Sequence, residues 1–196
     1  WLTDIRQPGI EVLAAMHPDE PPNSEQLKKL KREGFRGFKL HPDYQGFFVD
    51  DSRMFPLYEA VASEDMFILF HAGMDRGLPY PVHGTPKRLA VVHDAVPKLC
   101  MIAAHFGGED AYEETVEHLL GKDVYLDTSF VMRRMPAAFL ERFLKEHPPE
   151  RLVFASDSPW TDQGEELRFL LQMQFLSDAD KEKICFSNAA RLLGFQ

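Results

Sequence analysis

The sequence predicts an α/β fold, a TIM-like (β/α)8 barrel, and three observations predict it. Six apolar runs each end on a histidine or an aspartate: VLAAM at His17, GFKL at His41, FILF at His71, MIAA at His105, VYL at Asp127 and VFAS at Asp157. Each lies 22 to 34 residues after the one before, the length of one strand plus one helix. No GxGxxG follows a strand, so an open doubly wound sheet, the other arrangement with this element order, lacks the phosphate loop that usually marks it. A barrel assembles its active site from the carboxyl ends of its strands, and a polar group at every strand end supplies one.

The elements follow in order. Residues 10–16 read as a strand. Asn23 or Ser24 caps a helix reaching Glu33, and Gly34 stops it. Residues 35–40 form the second strand. Asp51 or Ser52 starts a helix to Glu64, with Pro56 in its first turn, where a missing N–H costs nothing. Residues 66–70 carry no polar side chain, the pattern of a strand buried on both faces. A long Gly/Pro-rich loop spans 72–84, and Thr85 followed by Pro86 opens a helix to Val96. Residues 100–104 are a strand, Gly107 and Gly108 open a helix that Gly121 closes, and 124–126 are a strand. A helix from Pro136 to Glu146, a strand at 151–155 and helices at 164–175, 179–185 and 188–193 finish the chain.

Right-handed crossovers make these strands parallel. Residues 1–196 read as a single domain without linker or low-complexity segment. Six βα units are two short of a barrel, which typically takes about 250 residues. The first two units are expected before Trp1, because only closing helices follow the last strand.

The net charge of −9 argues against nucleic acid, which needs a clustered basic face. The stretch KKLKR at 28–32 reads as a solvated helix face, and EDAYEETVEH as an acidic one. No apolar run approaches the length of a membrane span, and no signal-peptide pattern opens the sequence. Cys100 and Cys185 sit in apolar contexts and read as buried free thiols of a reducing compartment, so the cytoplasm is expected.

Imidazole and carboxylate groups converging at a barrel mouth can hold a divalent cation such as zinc. The cation lowers the pKa of bound water toward about 7 and so yields hydroxide at neutral pH. Lys39 shares a strand face with His41. It reads as a lysine packed in the barrel layers or paired with a carboxylate. His17 and His41 both precede proline, so each serves a turn or touches substrate. Tyr44, Phe47 and Trp160 are expected to line the pocket mouth, and Asp127 and Ser129 to organise the loop after their strand.

The motifs GFKLHPDYQGF, FHAG, AHFGG, ASDSPW and NAARLLG, in this order and at barrel spacing, resemble the amidohydrolase superfamily. More narrowly they resemble its amidohydrolase-related branch, which includes the aminocarboxymuconate-semialdehyde-type decarboxylases. The resemblance implies roles. His71 would be a metal ligand, and His105 the acid/base or oxyanion-polarising histidine. Asp157 would be both metal ligand and the base that activates water. The family's His-x-His pair, which supplies two further ligands, is nowhere in this sequence; it is expected upstream of Trp1, and the metal to be absent without it. Lysines bridge two metals as carbamates in other branches, a further role open to Lys39.

The reading is a hydrolase dependent on a divalent metal, with zinc the favoured ion, that attacks a carbonyl of a small amide, lactone or carboxylated cyclic substrate, with Asp157 and His105 catalytic and His41, Tyr44 and Trp160 binding substrate. A non-oxidative decarboxylase of the same family is the alternative, and an inactive binding barrel the alternative of another kind. A homodimer is expected from the family.

Overall fold

In the computed structural model, which describes residues 9–195, five strands pair in one parallel sheet. They are β1 (Gly37–Leu40), β2 (Phe67–Phe70), β3 (Cys100–Ala103), β4 (Tyr125–Asp127) and β5 (Leu152–Val153). Their order in the sheet is their order in the chain. A doubly wound sheet reverses direction at a switch point. This sheet does not, and consecutive parallel order is that of a barrel wall.

Strand alternation divides the apolar side chains into two layers. Phe38, Leu40, Ile68, Phe70, Met101, Ala103 and Leu126 face the surrounding helices. Phe67, Ile102 and Tyr125 form the inner layer with Leu69 and Val153, and Leu192 and Leu193 pack against it. Lys39 is in register with Leu69, Ile102 and Tyr125, so its ammonium stem rises from this inner layer.

Several helices start where the sequence places their caps. Asn23 and Gln26 form a reciprocal capping box for α1 (Ser24–Arg32). His41 caps the short α2 (Pro42–Gln45). Pro56 lies in the first turn of α3 (Phe55–Ser63). Thr85 caps α4 (Pro86–Ala95) through the Arg88 N–H. The outer layer continues through α5 (Tyr112–His118) and α6 (Ala137–Glu146). Asp162 caps α7 (Gln163–Leu171). Finally α8 (Asp178–Glu182) passes through a π turn at Lys183–Ser187 into α9 (Asn188–Leu193), which left-handed Gly194 closes. No described helix is long and apolar enough to cross a membrane.

Three elements differ from expectation, each for a local reason. The strand expected at 10–16 shrinks to one parallel bridge, Ala14 to Phe38, with Ala14 N donating to Gly37 O and Lys39 N to Ala14 O. It occupies the right place beside β1 but pairs on one side only among the described residues, and His17 then turns the chain back onto Glu20. The helix after β3 does not open at Gly107. His105 and Phe106 adopt left-handed backbone first, with φ of 59° and 52°, and α5 begins only at Tyr112. The last strand stops at Val153. Thr128 Oγ1 takes over as partner, accepting from Ala155 N and donating to Ala155 O at 3.0 Å each, while Phe154 N donates to Ile184 O in the π turn.

Candidate metal centre at the strand ends

The carboxyl ends of β1, β2 and β3 carry His41, His71 and His105 into one cluster. His71 N donates to Leu40 O at 2.9 Å, which sets the residue one step beyond the β1–β2 ladder. The His41 backbone is fixed by Gln45, whose Oε1 accepts from His41 N and whose Nε2 donates to Met16 O. The His41 and His71 rings stack with centroids 4.1 Å apart and planes 9° from parallel. His105 meets His71 edge-on, its Nε2 3.1 Å from His71 Nδ1.

The loop after β2 adds Asp75. Its Oδ2 lies 3.2 Å from His41 Nε2, and Oδ1 accepts from Gly77 N. His41, His71 and Asp75 each place a donor atom within 4.8 Å of the others, the group among the described residues that could hold a metal ion. Gly73 makes this loop possible. Its φ is 82°, and it bridges to Glu109 so closely that a Cβ would overlap the Glu109 and Gly108 backbone.

Behind His105 stands a polar chain. Asp127 Oδ1 accepts from His105 N at 2.9 Å, from Ser129 N at 3.0 Å and from Ser129 Oγ at 2.5 Å. His105 Nδ1 faces Ser129 O at 3.1 Å and Ser129 Oγ at 3.0 Å. At the end of this chain His71 Nε2 is buried and has no hydrogen-bond partner among the described residues. An orphaned buried polar atom costs about 1–3 kcal/mol, a cost a bound ligand removes. The residues present therefore suit a metal.

The electrostatics favour the neutral form of the His71 and His41 imidazoles. Burial, then the neighbouring His105, His41 and Lys39, push His71 down to about 2. Burial and Lys39 lower His41, against the opposing pull of Asp75 and Asp43. Burial lowers Lys39 in turn, although the carboxylates of Asp127 and Asp157 favour its charge. A neutral imidazole is the form that ligates. Left-handed backbone recurs here, at His105, Phe130 and Asp157 with φ of 59°, 65° and 60°. Such strain in non-glycine residues concentrates at functional sites.

The family model described as Amidohydrolase matches residues 5–195. The chain belongs to the amidohydrolase family. No curated protein matches it. Among solved structures, the amidohydrolase chain is similar to an uncharacterized TIM-barrel protein from Bordetella bronchiseptica, at 20% identity and a TM-score of 0.73 over 93% of this chain and 65% of that one. It is similar to 2,6-dihydroxybenzoate decarboxylase from Rhizobium, at 18% identity and TM-score 0.67, over 93% of this chain and 70% of that one. A third is a mutant 5-carboxyvanillate decarboxylase from Novosphingobium aromaticivorans with bound manganese and 3-methoxy-4-hydroxy-5-nitrobenzoic acid, at 16% and 0.68, over 93% and 64%. These likenesses establish the TIM-barrel fold. The chain spans about two thirds of the length of the structures it matches.

In the amidohydrolase chain the sequence-derived residues separate. His71 and His105 converge, and His41 joins His71 in the donor group rather than only bordering the pocket. Asp157 lies at the β5 end with an exposed side chain, outside the group within 4.8 Å but close enough to act on the Lys39 charge. Tyr44 meets His41 edge-on at 4.3 Å and is exposed. Trp160 is exposed beside Phe130, Arg133 and Arg134, and its N donates to Asp157 O. Phe47 does not line the mouth. The left-handed Gly46 turns it into the core, where it is 1% exposed. His17 accepts from Asp19 N in an exposed turn. Sequence reasoning missed Asp75, and with it Asp43, which holds His83 through Nδ1 at 2.9 Å. Asp75 stands in a loop and Asp43 in the single turn of α2, neither with a periodicity to mark it. The only signal was that Asp75 lies four residues after the FHAG histidine.

Proposed function

We propose that this chain carries the centre of a divalent-metal-dependent enzyme that decarboxylates a small carboxylated ring compound without oxidation. The observation that carries the reading is the His41–His71–Asp75 group at the strand ends, whose His71 has an orphaned Nε2. The decarboxylases among the similar structures favour loss of carbon dioxide over the hydrolysis that the motifs suggest. His41, His71 and Asp75 would hold the cation, and three protein donors is the number a catalytic zinc site keeps. The same nitrogen and carboxylate donors accept manganese, which one similar structure contains. When bound, the cation supplies Lewis acidity toward a substrate oxygen.

Decarboxylation breaks the bond between ring carbon and carboxyl carbon and leaves its electron pair on the ring carbon, which must take a proton. Asp157, exposed at the end of β5, can exchange protons with solvent and is assigned this delivery. Both ring nitrogens of His105 are engaged by neighbours, so His105 orients and steadies. Tyr44 and Trp160 present exposed aromatic surface to a ring substrate. A cytoplasmic setting and a homodimer belong to the same proposal.

The test loads the chain with manganese or zinc and supplies 2,6-dihydroxybenzoate or 5-carboxyvanillate. Carbon dioxide release is expected. Amide or lactone cleavage without carbon dioxide would restore the hydrolase, and absence of both metal binding and turnover would leave a binding barrel.

A further inference from the structure

We infer that Asp127, Ser129 and His105 form a positioning relay that fixes which nitrogen of His71 is bare, and so presets a metal ligand. The inference rests on the metal-centre reading above and adds residues to it.

A carbonyl oxygen can only accept a hydrogen bond. Ser129 O lies 3.1 Å from His105 Nδ1, so that nitrogen carries the proton. Ser129 Oγ is 3.0 Å from the same nitrogen, but its own hydrogen is committed to Asp127 Oδ1 at 2.5 Å. It too can only accept from His105. Asp127 anchors the arrangement, because the same Oδ1 also holds His105 N and Ser129 N.

With the proton on Nδ1, neutral His105 has a lone pair at Nε2. That lone pair faces His71 Nδ1 at 3.1 Å, so His71 Nδ1 must carry a proton and donate it. His71 Nε2 is then bare, and it is the nitrogen left without a protein partner. The relay thus ends on a buried lone pair in a ring clamped by the His41 stack and the His105 edge. Holding the second nitrogen of a ligating histidine fixes its tautomer and orientation, and loss of such a partner typically costs about 10–100-fold in metal affinity.

The decisive measurement is imidazole ¹⁵N NMR on the metal-free chain at neutral pH. His71 and His105 are both expected in the Nδ1–H form. An Nε2–H form at His71 overturns the inference, whether or not the chain binds metal. Manganese and zinc affinities, measured by chelator competition, provide the second arm. His105→Leu removes the acceptor and should weaken binding about 10–100-fold. His105→Gln restores an acceptor oxygen and should recover most of that loss. Wild-type affinity in His105→Leu, or no recovery in His105→Gln, overturns the relay. If the wild type shows the expected tautomers but binds neither metal, the metal-centre reading falls and the relay stands as a hydrogen-bond network.

Discussion

His71 and His147 are both buried, 5% and 1% exposed, and burial pushes both below the ordinary histidine range, to about 2 and about 4. They nevertheless do different work. His147 follows α6 and both its ring nitrogens are satisfied by backbone: Nδ1 accepts from Gly121 N at 3.1 Å, and Nε2 faces Val124 O at 2.9 Å. It stitches the turn after α5 to the residue before β4. His71 keeps one nitrogen for another histidine and leaves the other without a partner. Burial and a depressed pKa therefore do not separate a structural histidine from a ligand; an unpartnered ring nitrogen together with further donor atoms alongside does.

The largest expected effect tests this directly. His71→Ala should bring metal content to background and abolish turnover, and should also cost stability, since it leaves buried His105 Nε2 without its partner. His147→Ala should leave metal content unchanged. It should destabilise the fold by about 1–3 kcal/mol for each of the two backbone groups it leaves unpaired. Elemental analysis and urea unfolding on both variants read the contrast. Metal loss in His147→Ala with retention in His71→Ala would reverse the two roles.

Next comes Asp157→Asn, which keeps size and removes the ionisable carboxyl group. Turnover should fall about 10²–10⁴-fold, the usual worth of a positioned acid or base. Because Asp157 stands outside the His41–His71–Asp75 group, metal content should stay near wild type. Loss of metal in this variant would place Asp157 among the ligands and redraw the centre.

The site was legible in the sequence wherever a strand's apolar run was cut by a charged or imidazole group. His41, His71, His105 and Asp127 all announce themselves that way, and the intervals between them gave the consecutive sheet order. Contacts closed by loops were not legible. Asp75 reaches His41 only because Gly73 lets the chain lie against Glu109, a tertiary approach with no period to betray it. Phe47, read as a mouth residue, is core because Gly46 reverses the chain beneath it. The shortened β5 depends on one hydroxyl, Thr128, replacing backbone as a partner. Its sequence gives no hint of that substitution.

A pH series sharpens the contrast further. The folded-state pKa of His147 is about 4, against 6.5 for the free side chain. Between these values the unfolded chain binds more protons than the folded one. Its contribution to stability is thus whole above pH 6.5 and is lost as pH falls toward 4. The slope reaches at most about 1.4 kcal/mol per pH unit. His147→Gln can serve both backbone partners without titrating, so its stability should fall less steeply across this window. Parallel curves for wild type and variant would mean that His147 does not stay neutral in the fold.

The smallest effect is expected at the third kind of histidine. His17 ends an apolar run before proline, as His41 does. Structurally, His17 is exposed and accepts from Asp19 N at 3.2 Å, with the Asp19 carboxylate 3.8 Å away. An exposed pair of this kind is worth about 0–1 kcal/mol, and water replaces the lost hydrogen bond. No other imidazole stacks on it among the described ring contacts, whereas His41 is stacked on His71. His17→Ala should therefore change stability by less than about 1 kcal/mol and leave metal affinity and turnover at wild-type values, while His41→Ala should weaken metal binding. Equal loss of metal in both variants would show that the first bridge of the sheet, and not the strand ends of β1 and β2 alone, shapes the centre.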